Sequence, residues 1–116
     1  GLGESMEDRM DMAFTLSELG IGSIPLNVLL PIAGTPLEDK KTLSEEEILR
    51  TVAIFRFINP AAYIRLAAGR ATMEDSGRAA FLSGANATIT GDMLTTSGNN
   101  TAQDREMLAG MGFDLA

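Results

Sequence analysis

The chain of 116 residues contains no cysteine, no histidine and no tryptophan. Without cysteine there are no disulfides and no thiolate ligands for a metal. Without histidine the commonest general base and metal-binding side chain is missing. Hydrolase triads and zinc chemistry are therefore poor readings of this sequence. Basic residues are scarce as well. Sixteen acidic side chains against nine basic ones leave a net charge of −7. A phosphate backbone would be repelled, and no basic cluster offsets this, so nucleic acid is not the expected partner. No apolar run reaches the ~20 residues needed to cross a bilayer. The longest candidate, Ile24 to Ala33, carries Asn27 and two prolines. There is no basic start followed by an apolar stretch, so no secretory signal is expected, and a cytoplasmic setting fits best. The sequence opens on Gly1-Leu2-Gly3-Glu4 without an initiator methionine. It reads as a piece of something longer that begins inside a strand-to-helix turn.

What is present alternates between two periodicities. Ser5 can cap a helix, with Asp8 at the box position and Met6, Met10, Ala13, Phe14 and Leu19 at helical spacing, and Gly20 stops it. Ser23 to Ile32 is a nearly continuous apolar run, as expected of a strand covered on both faces. Ser44 with Glu47 marks a second helix, whose stripe is Ile48, Leu49, Val52, Phe55 and Ile58. Asn59-Pro60 ends it. Ala61 to Arg70 then reads as a strand with one fixed charge, Arg65, in its middle. Thr72 with Asp75 predicts a third helix, closed by Gly84. Asn86 to Thr90 is a short strand. A Thr- and Gly-rich loop follows, and Thr101 with Asp104 predicts a last helix.

Helix and strand thus alternate along one domain covering residues 1–116. Strict alternation predicts an α/β fold with parallel strands. Three strands with flanking helices are few for a free-standing doubly wound sheet. They suit an incomplete arc of a TIM-type (β/α)₈ barrel, whose chemistry sits at strand C-terminal ends.

Four places carry candidate chemistry. Arg65 cannot shed its charge, so it needs an anionic or polar partner, either a functional group or a nearby carboxylate. Asn27, alone and polar in an apolar strand, must find hydrogen-bond partners in a ligand or a neighbouring loop. Thr95 and Thr96 suit a carboxylate, or form a plain polar turn. Gly1-Leu2-Gly3-Glu4 brings backbone amides near a ligand, or is only a tight turn. The seven methionines sit mostly at core spacing and need no cofactor to explain them.

Taken in order, several stretches resemble biotin synthase, a radical S-adenosylmethionine family. They are Gly1-Leu2-Gly3-Glu4 with Asp8-Arg9, Ser23-Ile24-Pro25-Leu26-Asn27, Gly34-Thr35-Pro36-Leu37, Ile64-Arg65-Leu66-Ala67-Ala68-Gly69-Arg70, Gly84-Ala85-Asn86, and Leu94-Thr95-Thr96. The string around Arg65 is the most specific. The resemblance covers essentially the whole chain and implies the C-terminal part of such an enzyme, including the region shared with thiamin synthesis proteins. It implies a (β/α)₈ barrel that inserts sulfur into dethiobiotin. A 4Fe-4S cluster cleaves S-adenosylmethionine, and a 2Fe-2S cluster inside the barrel supplies the sulfur. It further implies that Arg65 is a ligand of the 2Fe-2S cluster and that Asn27 meets the ureido ring. Thr95 and Thr96 would meet the carboxylate tail, and Glu4 would lie in the turn beside S-adenosylmethionine. The cysteines that complete both clusters in the family are absent. The chain alone is therefore expected to be inactive, to bind no cluster, and to self-associate as a homodimer or larger through exposed strand edges. The alternatives are another radical S-adenosylmethionine enzyme, such as a hydrogenase maturase, or a stand-alone binding or assembly module.

Overall fold

The computed structural model describes residues 1–94 and 96–115. Helix α1 spans Met6–Glu18. It begins where expected: Ser5 accepts a hydrogen bond from the Asp8 amide, and Asp8 reaches back to the Ser5 amide, a full capping box. Strand β1 is Ser23–Leu26. Helix α2 is Glu45–Ile58, capped by Ser44, which accepts from the Glu47 amide. Strand β2 is Tyr63–Leu66. Two 3₁₀ turns, Arg70–Thr72 and Glu74–Gly77, lead into helix α3, Arg78–Leu82. Strand β3 is Ala87–Thr88, and helix α4 is Thr101–Gly110.

The three strands pair in parallel in the order β1-β2-β3, with Pro25 opposite Arg65 and Arg65 opposite Ala87. Parallel neighbours need a crossover between them, and α2 and α3 provide it. Exposure alternates along β1 and β2. Ile24, Ile64 and Leu66 are buried, whereas Ser23, Pro25 and Tyr63 are exposed. The helices therefore cover one face and leave the other open. The core lies on the covered face, where Ile64 and Val52 are fully enclosed among Ala13, Phe55, Ala80 and Phe81. Each large apolar side chain so buried stabilises the fold by roughly 1.5–3 kcal/mol. Phe81 also meets Phe113 edge to face, with ring centroids 6.0 Å apart, which fastens the C-terminal tail to α3.

Three expectations need correction. The run from Ser23 to Ile32 is a strand only as far as Leu26, and it is covered on one face rather than both. Beyond Leu26 its apolar residues Val28 to Leu30 are half-buried and Ile32 is exposed, none of them in a strand. Thr72 does not cap a helix. Its hydroxyl donates to the Gly69 carbonyl at 2.8 Å, closing a 3₁₀ turn. The chain then passes through Asp75, Ser76 and Gly77, all left-handed at φ 46°, 54° and 81°, before α3 begins. Left-handed backbone at a residue other than glycine costs on the order of 1–3 kcal/mol and persists only where the surroundings impose it. Finally, the last helix is capped by Asn100, which accepts from the Gln103 amide. Asp104 turns inward instead.

Among the described residues the architecture is an open, three-stranded parallel α/β sheet with four α-helices. Among the described residues, no helix is long and apolar enough to cross a membrane.

Candidate functional site

The C-terminal ends of the strands lie along one edge of the sheet. There β1 and β2 run on side by side after their formal ends. The Ala67 amide donates to the Leu26 carbonyl at 3.0 Å, and the Val28 amide donates to the Ala68 carbonyl at 2.9 Å. This close approach depends on Gly69, at φ 87°, because a Cβ there would sit 2.6 Å from both the Cβ and the carbonyl oxygen of Val28. Asn27 sits between these bonds. Its Oδ1 accepts the Ala68 amide at 3.1 Å. The neighbouring segment thus satisfies the acceptor half of the carboxamide and holds its orientation. The Nδ2 donors have no protein partner among the described residues and remain available at an exposed position.

Arg65 stands in β2, half-buried, with Nη2 3.4 Å from the Ser23 hydroxyl. The carboxylate partner that would make it an ordinary ion pair is not there. Among the described residues, Arg65 forms no salt bridge. Arg70 does. It is 2% exposed and grips Asp104 with both terminal nitrogens, Nη1 to Oδ1 at 2.9 Å and Nη2 to Oδ2 at 2.5 Å. Burial pushes the Asp104 carboxyl up. Hydrogen bonds from Arg70 and Thr90, together with the Arg70 charge, outweigh burial and hold it below the usual carboxylate range.

Glu4 is engaged from several sides. Its Oε1 accepts from the Gly1 ammonium at 2.8 Å and from Arg9 Nε at 2.9 Å, and its Oε2 accepts the Leu2 amide at 2.7 Å. Desolvation raises its pKa, but these bonds overcome desolvation and lower it from 4.5 to about 2. Arg9 is itself buried and also donates to Glu47 at 3.0 Å and to Thr51 at 3.1 Å. The Gly-x-Gly-Glu turn is thereby bolted to α2. Glu4 shapes the turn through Arg9 and the Leu2 amide.

A cavity of about 140 Å³ opens between this turn, α2 and the ends of β1 and β2, lined by Glu4, Arg9, Asn27, Leu43 and Ala68. It brings together two of the residues singled out from sequence, Glu4 and Asn27. Arg65 and Thr96 do not line it. Thr95 lies outside the described residues. Thr96 is half-buried in the loop after β3, where its carbonyl accepts the Met93 amide at 3.0 Å. The loop closes at its base through the Gly91 amide, which donates to the Asn99 carbonyl at 2.9 Å. Asn27, Arg65 and Thr96 are thus distributed over three successive strand-and-loop units, at or beyond the C-terminal halves of the strands. The sequence reading missed Arg9, Arg70 and Asp104. Arg9 stood in a matched motif without a role. The Arg70–Asp104 pair spans 34 positions and leaves no local signal.

Comparison with known proteins places these observations among relatives. Residues 25–114 match the family described as the Biotin and Thiamin Synthesis associated domain. A protein named biotin synthase from Alkaliphilus metalliredigens (strain QYMF) is 69% identical over 115 residues, covering 99% of this chain and 36% of that protein. One of the same name from Clostridium beijerinckii is 64% identical over the same shares. Another from Clostridium botulinum (strain Langeland) is 56% identical, again over 99% of this chain and 36% of its own length. The chain thus spans about a third of the length of these curated relatives.

Proposed function

Because the chain belongs to the Biotin and Thiamin Synthesis associated domain family, we propose that it forms about a third of a biotin synthase. That enzyme inserts sulfur into dethiobiotin by radical S-adenosylmethionine chemistry, and the third alone is inactive. In this reading the open sheet is an arc of a (β/α)₈ barrel. The consecutive strand order and the placement of the helices on one face support it, because a doubly wound sheet reverses its order and carries helices on both faces.

The observation that carries the reading is Arg65. It is a permanent cation in the middle of the sheet, and its only protein partner among the described residues is the Ser23 hydroxyl at 3.4 Å. With no carboxylate beside it, this exposed guanidinium is free to meet an anionic partner from outside this chain. A 2Fe-2S cluster with anionic sulfide is such a partner, and Arg65 would hold it beside ligands that this chain does not contain. When bound, that cluster supplies the sulfur. The 4Fe-4S cluster does not fit this chain by itself, since its thiolate ligands have no cysteine here. Asn27 offers its free Nδ2 donors to the ureido carbonyl. Thr95 and Thr96 offer hydroxyls and amides to the carboxylate tail. Glu4, with Arg9, shapes the turn that approaches S-adenosylmethionine. The open face, with Tyr63 57% exposed, is the surface through which the isolated chain self-associates as a dimer or larger. The setting is cytoplasmic.

The test uses the complete enzyme carrying this sequence. After anaerobic reconstitution with iron and sulfide, Arg65→Met should change the absorption of the two-iron cluster while the protein stays folded. An unchanged spectrum together with unchanged biotin formation from dethiobiotin would overturn the assignment.

A further inference from the structure

The loop that carries Thr96 has almost no strand to hold it. β3 contributes only two residues, Ala87–Thr88. What fixes the loop base is the buried pair of Arg70 and Asp104. Thr90, just before the loop, donates its hydroxyl to Asp104 Oδ2 at 2.5 Å. Arg70 donates to the Ile89 carbonyl at 3.4 Å and to the Ser76 carbonyl at 2.9 Å. Asn99, at the far end of the loop, donates its Nδ2 to the Ser76 hydroxyl at 2.7 Å. The left-handed Ser76 is therefore held from both sides, its carbonyl by Arg70 and its hydroxyl by Asn99. Both ends of the loop converge on a single charged centre. Arg70 leaves its buried Nε without a partner among the described residues, so it gives up one hydrogen bond while keeping the orientation that grips Asp104.

A buried ion pair is a weak source of net stability, because desolvation consumes most of the attraction. Its attested use is to fix one geometry against others. The geometry fixed here is that of the loop, since the hydrogen bonds of the pair run to Thr90, Ile89 and Ser76 around its base. We propose that Arg70 and Asp104 are positioning residues for the substrate carboxylate. They set the place of the Thr96 loop relative to Asn27, so that the enzyme prefers a ligand whose tail ends in a carboxylate. The substrate part of this inference rests on the biotin synthase reading; the ordering of the loop does not.

The experiment has two arms. In the first, amide hydrogen exchange is followed on the 116-residue chain and on Asp104→Asn, which keeps the shape and removes the charge. The Gly91 and Met93 amides should exchange about tenfold faster in the variant, with Val28 and Ala67 unchanged. Equal protection in both proteins, or a uniform loss at all four amides, would overturn the ordering role. In the second arm, the complete enzyme is offered dethiobiotin and its methyl ester. Asp104→Asn should lower the preference for the acid about fivefold through KM, with kcat and the cluster spectrum retained. An unchanged preference overturns the positioning role. Should Asp104→Asn not fold, Thr90→Val replaces it in both arms, with smaller shifts in the same direction expected. An enzyme that does not act on dethiobiotin at all would sink the functional reading, and the exchange arm would still decide whether the pair orders the loop.

Discussion

Arg65 and Arg70 lie five positions apart on one strand and the turn that follows it, and their circumstances are opposite. Arg70 is enclosed, with a bidentate carboxylate and two backbone carbonyls around its guanidinium. Arg65 is half-buried, with one long contact to a hydroxyl. Both carry the same permanent charge, so the difference lies in what the fold supplies. The fold supplies acceptors to both terminal nitrogens, which makes Arg70 part of the architecture. The strand interior supplies almost none, which leaves Arg65 open to something the chain does not contain.

The largest effect should come from stranding the satisfied arginine. Asp104→Ala leaves Arg70 buried without its partner and should cost about 3–5 kcal/mol in urea unfolding. The double change of Arg70→Met with Asp104→Leu should recover most of that loss, because an apolar pair avoids desolvation. Next comes the residue between the two arginines. Gly69→Ala forces a Cβ against Val28 and a left-handed backbone on alanine, so it should cost about 2 kcal/mol. The two-strand pairing would loosen with it, visible as faster exchange at the Val28 amide.

The third test is acid. Asp104 and Glu4 both have carboxyl pKa values lowered in the folded state, Glu4 from 4.5 to about 2. Groups lowered on folding add stability that is fully present above their unfolded pKa and is lost as pH falls through the folded one. Unfolding free energy should therefore be flat near neutrality and decline from about pH 4.5 toward pH 2. Asp104→Asn should flatten part of that decline, as followed by circular dichroism. The smallest effect on stability should come from Arg65→Met, within about 0.5 kcal/mol, since little in the fold depends on that charge. A loss as large as that of Asp104→Ala would erase the contrast and return Arg65 to an architectural role.

How far these regions were legible in the sequence differs for physical reasons. The Ser5 and Ser44 caps were readable because a cap is made within four residues. The same pattern misled at Thr72 and at Thr101. At Thr72 the hydroxyl bonds backward to Gly69, and at Thr101 the preceding Asn100 takes the cap, which frees Asp104 to reach Arg70. Whether a carboxylate caps its own helix or crosses to a distant arginine is decided by tertiary placement. The strand length was overread for a similar reason: Val28 still bonds Ala68 beside β2, whereas Leu29 and Leu30 are half-buried outside any strand. Asn27 and Arg65 could be singled out because polar groups in apolar strands demand partners. Which partners they have could not be read, because Ala68 and Ser23 meet them across the sheet.

Pro25 has one more consequence. The carbonyls of Gly22 and Leu26 point toward β2, where they accept from Tyr63 and Ala67. Alternate residues of a strand direct their backbone groups to opposite sides, so the backbone of Pro25 faces the outer edge of β1. Proline has no N–H to give there. A foreign strand that tried to extend the sheet from this side would find a missing rung in the middle of a four-residue ladder. Read as part of a barrel arc, an upstream strand lying along this side of β1 would meet the same gap and pair with one bond fewer at Pro25.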